Sequence, residues 1–195
     1  MNHDHDHHAD LDRGEGLHGA GNAGQPEPTS HTLRSLPKVR LYAKSAAMTI
    51  ELDAMKPDKD RGGLIYPGRD TWTLRIELAN VQPSSGGRRY DWSNKISLQL
   101  TPSELPVFVS TIMGWSKDCA FTNHGTARNK SLRVENQDGK IYFDIREGMA
   151  GAALPVPDQE RYGMGMLCAV TLQRNHPETG AQLALNMIKQ LYGRS

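Results

Sequence analysis

Between Lys130 and Ile145 the chain reads KSLRVENQDGKIYFDI, two runs of apolar–polar alternation hinged on Asp138-Gly139. Asp-Gly readily takes the positive φ that a tight hairpin turn requires, so the two runs pair as antiparallel strands. Leu132, Val134, Ile141, Phe143 and Ile145 then face a core, while Arg133, Tyr142 and Arg146 face outward. A sheet with one face this apolar needs a covering layer, and the rest of the chain has to supply it.

The same period of two recurs upstream. Residues 38 to 53 (KVRLYAKSAAMTIELD) read as extended, with Met48, Ile50 and Leu52 alternating with Thr49, Glu51 and Asp53. The stretch KPDKDRGGLIYPGRD is a loop by its turn residues, with a short apolar interlude at Leu64 to Tyr66. TWTLRIEL directs Trp72, Leu74, Ile76 and Leu78 one way and Thr73, Arg75 and Glu77 the other. After the turn PSSGG, RRYDWSNKISLQLT reads as a strand with Tyr90, Trp92, Ile96, Leu98 and Leu100 inside and Arg89, Asp91, Lys95 and Gln99 outside. CAFTN, around Cys119, is a further strand.

Helices interrupt this series. Thr101-Pro102-Ser103-Glu104 is a capping box with proline at the first helical position, and Leu105, Phe108, Val109 and Ile112 follow at helical spacing up to Gly114. Pro106 removes a backbone donor early in that helix, so its start is expected to be irregular. After AALPVP, a helix from about Asp158 to Gln173 places Met164, Leu167, Cys168 and Thr171 on one stripe, with Gly163 and Gly165 marking a close contact. A last amphipathic helix beyond Pro177 uses Leu183, Met187 and Leu191. The order predicts an α+β domain of two antiparallel β-sheets with helices in a duplicated ββββα pattern, not the βαβ alternation of a parallel sheet.

Charge divides the chain of 195 residues unevenly. Residues 1 to 36 hold Arg13 and Arg34 against six acids, a net of −4; residues 37 to 195 hold 21 basic and 16 acidic residues, a net of +5. The amino-terminal segment is His, Asp and Gly with little to bury, and reads as a disordered acidic His-rich tail. Its HDHDHH run has the composition of a metal-chelating tract or an expression tag, and no metal site is assigned to it. The expected organisation is a tail over 1–36, a folded domain over 37–175 and a helical extension over 176–195. No window approaches the roughly 18 apolar residues of a membrane span, and no signal peptide precedes Cys119 and Cys168, which read as buried, reduced, intracellular thiols.

There is no P-loop, no GxGxxG after a strand, no HExxH, no GxSxG and no CxxC pair. Only His124 and His176 lie in the body, and nothing orders either into a catalytic set, so no catalytic residue, cofactor or metal is expected. The body does interleave cations with aromatics: Arg40, Tyr42 and Lys44; Arg88, Arg89 and Lys95; Arg128 and Lys130; Arg133 and Tyr142. Cations neutralise phosphates and rings stack on splayed bases, which is what single strands require. Tyr90 and Trp92 fall on the inner face by alternation, where a ring either packs in the core or lines a base pocket near a sheet edge. His124 reads as a loop hydrogen-bonding residue or a nucleic-acid contact.

Three blocks resemble the Whirly proteins: LYAKSAAMTIEL, TWTLRIEL, and RRYDWSNKISLQLTPSELPVFVS with its Tyr-Asp-Trp strand running into a capped helix. The Cys119 strand with His124, then KSLRVENQDGKIYFDI and LPVPDQERYGMGMLCAV, keep the family's order, so the resemblance spans roughly residues 38 to 172. It implies single-stranded DNA binding with little sequence preference by a homotetramer of two-sheet protomers, the strand lying across sheet edges between neighbours. The fold is also similar to that of kinetoplastid mitochondrial RNA-binding proteins and, more distantly, PC4 coactivators. This chain departs where the family has KGKAAL, since Ala43 and Ser45 replace the two lysines with Lys44 between them. The tail and the added helix suggest a bacterial cytoplasmic relative from a mobile element or phage. Single-stranded DNA, RNA, and a protein-assembly role without nucleic acid remain the three readings.

Overall fold

Described over residues 36–55 and 69–193 in a computed structural model, the chain builds two antiparallel sheets separated by a helix and followed by two more. The first sheet contains β1 (Lys38–Tyr42), β2 (Ala46–Met55), β3 (Thr71–Gln82), β4 (Arg89–Tyr90) and β5 (Ile96–Gln99), with β4 and β5 both paired to β3. After α1 (Glu104–Ile112) comes the second sheet, β6 (Asp118–His124), β7 (Lys130–Gln137), β8 (Lys140–Glu147) and β9 (Ala150–Pro157), in sequential order. The helices α2 (Arg161–Asn175) and α3 (Gly180–Tyr192) close the fold. The expected α+β class with two antiparallel sheets is the one observed. The His-rich segment and the interlude at Leu64 to Tyr66 lie outside the described residues.

The alternation of apolar residues matches the core. Ile141, Phe143 and Ile145 on β8 and Leu74, Ile76 and Leu78 on β3 are fully buried, and they share one cluster with Phe108 and Ile112 of α1 and Leu167 and Cys168 of α2. The glycines of α2 let it sit close: a Cβ on Gly163 would lie 3.7 Å from Val39, and one on Gly165 only 3.3 Å from the Met113 sulfur. At the other end of α2, Asn175 accepts from the Trp72 N–H and donates to the Trp72 carbonyl, both at 2.8 Å, while Arg174 stacks 4.5 Å from the Trp72 ring. That grip fixes the helix on β3 through backbone groups as well as through apolar contact.

Four elements differ from their sequence expectation. Residues 38–53 fold back on themselves, with Tyr42 opposite Ala47 across a turn closed by Ala43 N–H to Ala46 C=O. The YDW strand is broken by a single 3₁₀ turn at Trp92–Asn94, because the Asp91 side chain accepts from the Asn94 N–H and offers the backbone a cap instead of a ladder. Residues 150–157, where the sequence pattern predicts no element, form β9, and Pro155 and Pro157 are tolerated because β9 is an edge strand. On α3, Leu183, Met187 and Leu191 face solvent, while Ile188 packs into the core with Ala181, Ala184 and Leu185 against it. Among the described residues no helix is long and apolar enough to cross a membrane.

The capping box forms as a reciprocal pair. The Thr101 hydroxyl accepts from the Glu104 N–H at 3.3 Å, and a Glu104 carboxylate oxygen accepts from the Thr101 N–H at 2.8 Å. Residues 102 and 103 turn before α1 begins at Glu104, the irregular start that Pro106 implies. Replacing Thr101 by alanine should lower stability by about 1 kcal/mol, measured by urea denaturation.

Candidate nucleic-acid interface

On β1, Leu41 points into the core and Tyr42 therefore points to the opposite face of the first sheet. Ala47 and Ala79, in register with Tyr42 on that face, are small and fully buried. The ring of Tyr90 lies 5.6 Å from that of Tyr42 at 46°, and its hydroxyl donates to the Ala43 carbonyl at 2.9 Å. Tyr90 and Trp92 are thus not inner-face residues. The 3₁₀ turn takes the strand out of alternation, leaving Tyr90 half-buried against Tyr42 and Trp92 half-buried at the turn. Arg40 lies on β1 with Tyr42, Lys44 in the turn after it, and Arg88 and Arg89 just before Tyr90; all four are exposed, and among the described residues no carboxylate pairs with them.

β1 and β9, each an edge strand of its sheet, border a common seam, with β9 packed against β2 and β3 of the first sheet. A groove of about 250 Å³ runs between Arg40, Tyr42 and Ala43 on one side and Pro155 and Pro157 on the other. Pro155 also borders a second cavity of about 420 Å³, shared by Ser45 and Asn80 of the first sheet and Tyr142 and Arg146 of the second. Asn80 donates to the Gly151 carbonyl at 2.9 Å and Ser45 to the Ala153 carbonyl at 3.4 Å, so hydrogen bonds tie the sheets together at the seam. Arg40 and Tyr42 border the first hollow, together with the carboxylate-bearing Glu160, and Tyr142 and Arg146 border the second. Cations and rings at two adjoining hollows can hold a polyanion whose bases are splayed, the phosphates on the charges and the bases on the tyrosines.

The remaining predicted residues are engaged elsewhere. Lys95 donates to Glu77 at 2.8 Å, and Glu77 is buried, so this cation neutralises a carboxylate inside the sheet. Lys130 pairs with Glu147 at 3.2 Å and donates to the Ser97 carbonyl. Arg133 shares the outer face with Tyr142 but pairs with Glu135 at 3.2 Å. His124 bonds Glu104 at 2.8 Å and borders a polar cavity of about 810 Å³ with Arg128, whose φ is +53°. Burial raises the Glu104 carboxyl, but hydrogen bonds from His124 and Thr101 outweigh it and hold the group below its ordinary value. Ser45, Asn80 and Arg146 join the seam although periodicity alone does not single them out as a site. Met149, an apolar residue in the turn GMAG, is the signal in the sequence that marks this end of the seam.

Both cysteines are free and buried. Burial pushes the Cys119 thiol up to about 11 and the Cys168 thiol to about 12, so neither is a nucleophile at neutral pH. Among the described residues no three His, Cys, Asp or Glu side chains converge as a metal site.

Two antiparallel sheets, a capped helix between them and a helical pair at the end define a Whirly-like fold. The structure is similar to that of WHY1 from Arabidopsis thaliana, with a TM-score of 0.52 and 21% identity, covering 80% of this chain and 92% of that one. No family model and no curated protein sequence matches the chain.

Two substitutions test the charges that serve the protein's own structure. Lys95→Met should lower stability by about 1–3 kcal/mol, because Glu77 loses its counter-ion in a buried position, as read by denaturant titration. Because the Glu104 carboxyl is held below its ordinary value of 4.5, its contribution is complete above that pH and is lost as pH falls through the lowered value. Glu104→Gln should therefore flatten the acid limb of the stability profile, measured by thermal melts from neutral pH downward.

Proposed function

We propose that this chain binds single-stranded nucleic acid, DNA foremost, along the seam between β1 and β9, with little sequence dependence overall and without catalysis. The observation that supports this reading is the placing of rings and cations at two hollows that adjoin at Pro155. Arg40 and Tyr42, with the Tyr90 ring against Tyr42, border one, and Tyr142 and Arg146 border the other. Lys44, Arg88 and Arg89 are exposed nearby in sequence and unpaired among the described residues. Duplex DNA keeps its bases stacked away from such rings, so a single strand is the better ligand. The fold likeness supports the same reading, and the domain reading keeps residues 1–36 outside the binding body. Trp92 sits beside this surface, whereas Lys95, Lys130 and His124 serve the protein's own carboxylates.

Self-association belongs to the same proposal. Leu183, Met187 and Leu191 are 48%, 53% and 67% exposed at successive turns of α3, beside an apolar groove of about 400 Å³ that includes Pro106 and Leu172. An uncovered stripe of this kind is what a second copy would bury, and a tetramer is the order the Whirly resemblance implies. Met187→Glu should shift light-scattering mass toward smaller species.

Anisotropy titrations with labelled single-stranded DNA, single-stranded RNA and duplex of equal length test the binding. Single-stranded DNA should bind most tightly, with affinity falling as salt rises. Replacing Arg88 and Arg89 by alanine should reduce the salt slope by roughly one unit for each phosphate that is no longer neutralised. Equal affinity for duplex, or a slope unmoved by the double replacement, would contradict the reading. Tighter binding to RNA would reassign the ligand, and binding to none of the three would leave assembly alone.

A further inference from the structure

We propose that the cavity at the β8–β9 end of the seam is a base-reading pocket that holds one guanine. This deepens, and rests on, the reading of the seam as a single-strand interface. The cavity exists because of register. On β8 the outer face carries Tyr142, Asp144 and Arg146; opposite them on β9 stand Pro155, Ala153 and Gly151. The last two are too small to fill the space beside Asp144 and Arg146, and about 420 Å³ is left, within the range of small-ligand sites. The hydrogen bonds from Asn80 and Ser45 to the β9 backbone hold that wall in place.

The lining has the chemistry of a base site. Tyr142 offers a ring. Met149 stands fully exposed in the two-residue turn that closes the hairpin, where Gly148 at φ +57° takes the demanding position and a polar residue would serve the turn equally well. A thioether and a phenol are both suited to packing on the face of a base. Asp144 is the informative residue, because its pairing with Arg146 lets a carboxylate stand in this hollow without an uncompensated charge. Both of its oxygens accept from Arg146, Nε reaching Oδ1 and Oδ2 at 3.2 Å and Nη2 reaching Oδ2 at 3.0 Å, which uses two of the five guanidinium N–H groups and leaves lone pairs on each carboxylate oxygen.

An acceptor pair beside a spare donor matches one base edge. Guanine presents N1–H and the N2 amino group side by side, for the carboxylate, and O6 next to them, for the guanidinium. Thymine places one N–H between two carbonyls and turns an oxygen toward Asp144. Adenine and cytosine each offer a single amino group. Same-face side chains on a strand stand about 7 Å apart, so a base stacked on Tyr142 brings its edge to Asp144.

The test compares a short oligothymidylate with the same oligomer carrying one central dG or one central dA, using the full chain and anisotropy. The dG oligomer should bind about tenfold more tightly than the all-dT oligomer. Asp144→Asn should abolish that ratio, and Ala153→Leu should abolish it by filling the cavity, with melting temperature recorded for each variant. A dG oligomer that binds no better than oligothymidylate, or that no better than matches the dA oligomer, overturns the pocket and leaves the interface standing. So does a ratio that survives in both folded variants. If the wild-type chain binds none of these oligomers, the interface reading itself falls.

Discussion

Two sheets that are each apolar on one side can stay dry only by turning those sides toward one another and toward helices, and most of this structure follows from that requirement. Ile76 and Leu78 on β3, Phe143 and Ile145 on β8, and Phe108 of α1 are buried in a single cluster, with the α2 stripe completing it. At roughly 25 cal/mol per Å² of buried apolar surface, no surface interaction in the molecule competes with this one. Once the inner faces are committed, the outer faces are committed too. Tyr42 is turned out because Leu41 is turned in, and Tyr142 because Ile141 and Phe143 are turned in.

Closing the core leaves edges to deal with. An unpaired strand edge exposes donors and acceptors that invite another strand, and here two such edges, β1 and β9, border a common groove instead of open solvent. Pro155 and Pro157 remove donors from the β9 edge, and side-chain bonds from Asn80 and Ser45 use two of its carbonyls. What remains is a groove whose β9 side offers few free backbone groups and whose β1 side carries Arg40 and Tyr42, adjoining the hollow that holds Tyr142 and Arg146. That is a poor place for a further strand and a good one for a polymer bound by stacking and charge.

The cations separate by what they face. An exposed ion pair contributes about 0–1 kcal/mol, so Arg133 with Glu135 is a weak constraint that a ligand could rearrange. Lys95 is different, since Glu77 is almost without solvent and its charge would stand uncompensated if the lysine left. Binding phosphate with Lys95 would cost that compensation, whereas Arg40, Lys44, Arg88 and Arg89 have no such commitment among the described residues. Burial of the partner, not exposure of the cation, decides which positive charges are available.

Periodicity is enough to place Leu132, Val134, Ile141, Phe143 and Ile145 in the core, and Thr101 with Glu104 at a helix start, because both depend on neighbours a few residues apart. The YDW block shows where that reach ends. Alternation puts Tyr90 and Trp92 inside, but a local Asp91–Asn94 cap interrupts the strand, and the ring of Tyr90 finds Ala43 and Tyr42 more than forty positions away. The same limit hides β9, whose prolines read as loop until an edge position makes them acceptable, and it reverses the stripe of α3, which has two candidate faces and no sequence signal for which one α1 and α2 would cover. Most strands, the capped helix start and the pattern of apolar faces were legible in the residues themselves, since these rest on local conformation and side-chain period. Which outer residues meet across the seam, and which cations are already neutralised, emerged with the folded chain alone, because those outcomes depend on register and burial between segments that lie far apart in sequence.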